Sequence, residues 1–188
     1  IKDPAARKQF KPFLTQLKWA QELAIALHAK RRQRGSIDFN LPEAEFTLSD
    51  NSEVSAIYRA ERNFAHQLIE EFMLAANEAV AELATSRKVP AIYRVHEPPD
   101  PMKMEAFFTF AKTLGLQLPP MENSPAWFAK VLDICNDSRY EYIINNLLLR
   151  SMKQAQYSAD NVGHFGLASS DYTHFTSPIR RYPDLVTH

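Results

Sequence analysis

Residues 164 to 188 read HFGLASSDYTHFTSPIRRYPDLVTH. Two adjacent arginines, Arg180 and Arg181, follow Ser177-Pro178-Ile179 directly, with Tyr172, His174 and Thr176 just upstream. Cationic, hydroxyl and imidazole groups crowd into one short span, and the first question is what the arginines hold. A second set lies on a helix predicted over residues 62–86. At about 100° per residue, Phe64, Leu68, Phe72, Ala75, Ala79 and Leu83 form one apolar sector, which reads as the core face. His66, Glu70, Met73 and Asn77 lie within about 60° of one another on the opposite side, and Glu71 falls between the two. A carboxylate accepts two hydrogen bonds from a sugar diol, and a carboxamide both donates and accepts. The stripe therefore suits a polar ligand. It equally suits a solvated helix face, and spacing leaves both readings open.

Other familiar chemistries are missing from the pattern. There is no phosphate-binding glycine loop, no zinc spacing and no GxSxG elbow. The histidines, at 28, 66, 96, 164, 174 and 188, are scattered. His164 and His174 are near in sequence but lack the partner spacing of a metal site, so no metal ligand is assigned. No D-x-D or D-D pair occurs. A two-metal nuclease needs acidic side chains that hold ions roughly 3.5–4 Å apart, and this chain does not supply that set.

The elements that must position these groups follow from composition and periodicity. Apolar residues make up 45% of 188 residues, enough for one globular domain with a real core. No run of apolar residues is long enough to span a bilayer, and IKDPAARKQF has no signal-peptide core. Cys135 is the single cysteine. It reads as a small buried hydrophobe in a reducing, cytoplasmic protein. Charge balances at 22 basic against 22 acidic residues. A nucleic-acid binder usually carries a basic excess, so global charge argues mildly against that class. Local clusters remain at Lys30, Arg31, Arg32 and Arg34 and at Arg180-Arg181; a solvated surface run is the usual meaning of such clusters.

With 4 glycines against 12 prolines and many helix formers, the chain reads as mostly helical. Phe10, Phe13, Leu14, Leu17, Ala20, Leu23, Ala24 and Leu27 predict one long helix from residue 5 to about 33, capped by Gly35. SIDFNLPEAEFTL and EVSAIYRAE predict a hairpin around Ser49-Asp50-Asn51-Ser52. Helices are expected at 101–114, 124–135 and 139–154. A short strand is expected in VPAIYRV, weak strands after Tyr157, and a last helix from near Pro178. The expectation is a single α+β domain over 1–188, mostly helical, with a few antiparallel strands.

YTHFTSPIRRYPDL resembles the signature of the ribonuclease II / ribonuclease R family, the RNB catalytic domain. RGSIDFNLPE (34–43), HQLIEEFMLAANEAVA (66–81), PAIYRVHEPPDP (90–101) and LLRSMKQAQYS (148–158) resemble the same domain in the same order. HFGLASSDYTHF is closer to ribonuclease R than to ribonuclease II in the narrow sense. The resemblance implies a processive, magnesium-dependent 3′-to-5′ exoribonuclease. Such an enzyme degrades single-stranded RNA to nucleoside 5′-monophosphates as a cytoplasmic monomer without membrane attachment. The family's metal-binding aspartates belong to an upstream acidic motif that this chain lacks. It is therefore expected to be the carboxyl-side part of the catalytic domain, inactive alone, with the Mg2+ ligands outside it. By resemblance Arg180 matches the catalytic arginine. Arg181 matches either a cation on backbone phosphate or a structural ion pair. Glu70 matches a glutamate that contacts the ribose near the 3′ end, with Asn77 beside it on the same stripe. Phe39 matches one of two aromatics that stack on terminal bases, although the loop around Pro42 differs in length; packing in the hairpin is the alternative. Tyr172, His174, Thr176 and Ser177 are candidate channel-lining residues beside Arg180. The competing reading is a non-catalytic RNA-binding or scaffolding relative with the same fold.

Overall fold

The computed structural model describes residues 3–39, 41, 44–49, 51–60 and 63–188. Helix α1 (Pro4–Gln9) begins where Asp3 accepts from the amides of Ala5 and Ala6. The expected single long helix is interrupted. Pro12 has no amide hydrogen and its ring crowds the carbonyl four residues back, so Lys11–Phe13 form a 3-10 turn before α2 (Leu14–Arg34). Gly35 ends α2 at φ 94°, and a Cβ there would lie 2.9 Å from the Ala126 backbone. Glycine thus meets both a left-handed cap and a close approach.

The hairpin is shorter than expected. Strand β1 (Ala44–Leu48) pairs antiparallel with β2 (Val54–Arg59), Phe46 opposite Ile57. Ser36 to Phe39 are not strand, and Asn40, Pro42, Glu43 and Asp50 lie outside the described residues. Helix α3 (Phe64–Arg87) is capped by Asn63, which accepts from the His66 amide. Its expected start at Arg62 is also outside the described residues.

Helices α4 (Pro101–Thr113), α5 (Pro125–Cys135) and α6 (Glu141–Ser151) match the expected positions within three residues. Two of them start with a capping side chain followed by proline: Asp100-Pro101 and Ser124-Pro125. Their apolar faces meet in the main core, around Met104, Phe107, Trp127, Phe128, Val131, Ile144 and Leu148. Cys135 is fully buried there, as expected of a small hydrophobe.

Strand β3 (Tyr93–Val95) pairs with β4 (Gln156–Ser158) on one side. On the other, Tyr93 bridges to Thr173, and the Arg94 amide donates to the Tyr172 carbonyl at 2.9 Å. This pairing brings the motif-rich segment 172–177 alongside α3. The last helix, α7 (Tyr182–Thr187), starts four residues later than predicted, with Pro183 in its first turn.

The face that α3 buries is the main departure from the periodicity reading. Phe64 and Leu83 are exposed at 42% and 48%, whereas Glu71, Asn77 and Ala81 are buried. Both polar residues have partners. Glu71 accepts from Arg31 Nη2 at 2.7 Å and lies 2.8 Å from His28 Nδ1, which joins α3 to α2. The apolar stripe of α2 is likewise largely exposed, with Phe13, Leu17 and Leu23 at 58%, 44% and 52%. Periodicity measures apolar content; it does not register a charge that a distant helix neutralises.

Candidate functional site

Asn77 organises the candidate site from α3. Its Nδ2 donates to the Tyr172 hydroxyl at 3.0 Å. Its Oδ1 accepts from the amides of Phe175 at 3.0 Å and Thr176 at 3.3 Å. One buried carboxamide therefore pins segment 172–176 to the helix and satisfies backbone donors that lack a strand partner. Of the polar stripe, Asn77 is buried, Glu70 and Met73 are half-buried and His66 is exposed. His66, Glu70, Met73 and Asn77 line a pocket of about 350 Å³ together with Tyr172 and Arg181. That volume is in the range of small-ligand sites.

The Ser177–Arg181 turn is fixed by a residue the sequence reading passed over. Asp184 is fully buried. Its Oδ1 accepts from the Ser177 amide at 2.8 Å and from Arg181 Nη2 at 2.7 Å. Burial by itself would raise the Asp184 pKa, but these bonds hold it below the ordinary carboxylate range. The signal in the sequence was the Arg181–Asp184 spacing at i,i+3, one turn apart on the start of α7.

The two arginines consequently differ. Arg181 is the ion-paired one and borders the pocket with Glu70 and Asn77. Arg180 is exposed and, among the described residues, its guanidinium has neither a hydrogen bond nor an ion pair. Its charge reaches His174, whose pKa falls to about 4 through burial first and then through Arg181, Arg94 and Arg180. His174 Nδ1 lies 2.8 Å from the Tyr157 hydroxyl. Among the described residues, the buried Thr176 hydroxyl has no hydrogen-bond partner, nor do Arg181 Nε and Asp184 Oδ2. Tyr172 lines the pocket, while Ser177 serves Asp184 through its backbone amide.

Phe39 is not in the hairpin. It is half-buried against the α4–α5–α6 core and borders two further grooves. Among the described residues, no group of three or more His, Cys, Asp or Glu side chains is placed to hold a metal ion. Among the described residues, no helix is long and apolar enough to cross a membrane.

The family model for the RNB domain matches residues 2–188. The chain belongs to the RNB-domain family. This RNB-domain chain is 44% identical over 189 residues to ribonuclease R of Aquifex aeolicus, covering 100% of the chain and 27% of that relative. It thus spans about a quarter of the length of such relatives. The structure of Mycoplasma genitalium RNase R in complex with ribose methylated single-stranded RNA matches this RNB domain with a TM-score of 0.90 at 34% identity, over 93% of the chain and 28% of that protein. Yeast Ssd1, a pseudonuclease, matches with a TM-score of 0.68 at 22% identity, over 96% of the chain and 24% of that protein, and shows the shared fold.

Proposed function

We propose that this chain is the carboxyl-side part of the catalytic domain of a 3′-to-5′ exoribonuclease that hydrolyses single-stranded RNA processively to nucleoside 5′-monophosphates. The RNB family membership supports that class, and a ribonuclease R with single-stranded RNA is among its structural relatives. The observation that carries the reading is the asymmetry of the arginine pair. Arg181 is bound into the Asp184 turn, whereas its neighbour Arg180 is exposed and, among the described residues, carries neither a hydrogen bond nor an ion pair.

In this reading Arg180 meets the reacting phosphate. A planar fork makes two parallel bonds to phosphate oxygens and stabilises the charge that grows there in the transition state. Glu70 faces the terminal ribose, where reading the 2′-hydroxyl distinguishes RNA from DNA, and Asn77 holds Tyr172 in the wall of that pocket. Phe39 stacks on a base, a contact that tolerates any sequence. In this reading the divalent metal of such an enzyme is held by ligands outside this chain.

Arg180→Ala in the full-length enzyme tests the assignment. Single-turnover cleavage at saturating RNA is expected to fall about 10²–10³-fold, the loss typical of one transition-state donor. The RNA dissociation constant at fixed salt should change little, because many phosphates share the binding. Arg180→Lys should rescue only in part, since it keeps the charge but not the fork. Weakened binding with normal saturated cleavage would make Arg180 a positioning residue. An inert wild-type enzyme that still binds RNA would support the non-catalytic RNA-binding alternative.

A further inference from the structure

A second groove of about 1070 Å³ shares a wall with the candidate site. His164 lines it, and the His164 ring meets Tyr172, which lines the first pocket, edge-on at 5.3 Å between centroids. Arg94, Lys103, Arg150 and Lys153 converge on this groove, and no Asp or Glu is among its lining residues. Lys153 is paired with Glu97 at 2.6 Å. Arg94, Lys103 and Arg150 have no carboxylate partner among the described residues. The chain as a whole carries no net charge, so this concentration of cations is local.

The floor of the groove is built rather than incidental. His96 Nδ1 accepts from the Gly166 amide at 2.9 Å, which leaves Nε2 to donate to the Lys153 carbonyl at 2.7 Å. That pair of bonds requires a neutral imidazole and ties the Lys153 segment to the 164–167 turn. The Arg94 guanidinium lies 4.7 Å above the Tyr157 ring, which restrains it without neutralising it. Three like charges held around one concavity repel one another, and a polyanion that bridges them removes that repulsion. Several cations lining one groove without a carboxylate among them suit a sugar–phosphate backbone, which carries a charge on every residue.

We propose that this groove is a binding site for the phosphodiester backbone of single-stranded RNA, contacting phosphates through Arg94, Lys103 and Arg150. It holds a part of the strand away from the 3′ end in the Glu70 pocket, and to that extent it rests on the function proposed above. The test uses Lys103→Ala/Arg150→Ala in the full-length enzyme. Both positions are exposed in this chain, and a thermal melt of the double variant beside the wild type checks that it folds. Binding of oligoadenylates of about 4 and about 16 nucleotides is measured across a salt series. For the long strand, the slope of log K against log salt should shrink by about 1.4, or about 0.7 per lost phosphate contact. The short strand should bind both proteins alike, and saturated single-turnover cleavage should be unchanged. An unchanged slope for the long strand, or equal weakening of both lengths, overturns the groove. A wild-type enzyme that binds the long strand with the expected slope but releases no monophosphates refutes the proposed activity and leaves the groove standing.

Discussion

Asp184→Asn isolates the charge that holds the Ser177–Arg181 turn. The fully buried carboxylate accepts two hydrogen bonds on one oxygen, at 2.8 Å from an amide and at 2.7 Å from a guanidinium. Asparagine keeps an acceptor there but removes the negative charge. The amide bond falls from about 1.5–3 to about 0.5–1.5 kcal/mol, and the Arg181 guanidinium keeps a hydrogen bond but loses its counter-charge, so the pair loses about 2–3 kcal/mol. The new amide also places two donors where Asp184 Oδ2 has no partner among the described residues. At about 2–4 °C per kcal/mol for a domain of this size, the melting temperature should drop by roughly 5–10 °C. Asp184→Ala should cost about 3–5 kcal/mol, because it also strands the Arg181 charge. Arg181→Met combined with Asp184→Asn should cost less than the sum of the two single changes. With the turn loosened, Arg180 loses its fixed approach, and single-turnover cleavage should fall while RNA binding holds. Thermal melts and single-turnover rates on the same preparations decide it. Asp184→Asn with wild-type melting and wild-type cleavage would refute the claim that this carboxylate sets the turn.

The buried link between α2 and α3 should behave like other buried ion pairs. Glu71→Leu is expected to cost about 3–5 kcal/mol, whereas Arg31→Met/Glu71→Leu should recover most of that loss, as read from urea midpoints. Stability should also fall on mild acidification. Burial, reinforced by His96 and Arg94, lowers the His164 pKa to about 3, and His174 sits at about 4. Between their ordinary value near 6.5 and about 4, the unfolded chain takes up protons that the folded chain refuses, so folding weakens as pH falls. Below about 4, Asp184 and Glu71, whose folded pKa values are depressed, add to the loss. Denaturation midpoints at pH 7.5 and pH 5 check the sign; equal or greater stability at pH 5 would contradict it.

Local chemistry along the chain was enough to determine most of the elements and the family. Helices α4, α5 and α6 were legible because capping residues, prolines and apolar spacing agree within each segment. Gly35 declared its cap because few other residues adopt its backbone angle without strain. The ordered residues of YTHFTSPIRRYPDL carried the family resemblance without any structure. Tertiary structure decided which faces are buried and what each polar group meets. The Phe64–Leu83 stripe of α3 looked like core, yet that helix buries Glu71 and Asn77, because Arg31 is brought to one and the 172–176 backbone to the other. Pro12 broke a helix whose side-chain pattern ran straight through it. Phe39 left the predicted hairpin for the rim of a basic groove whose cations come from β3, α4, α6 and the segment after it. The division between Arg180 and Arg181 depended on a carboxylate on the far side of a turn. Periodicity and composition are sums over neighbours in sequence, whereas hydrogen-bond satisfaction and charge pairing are relations between segments far apart in the chain. Only the folded arrangement sets those relations.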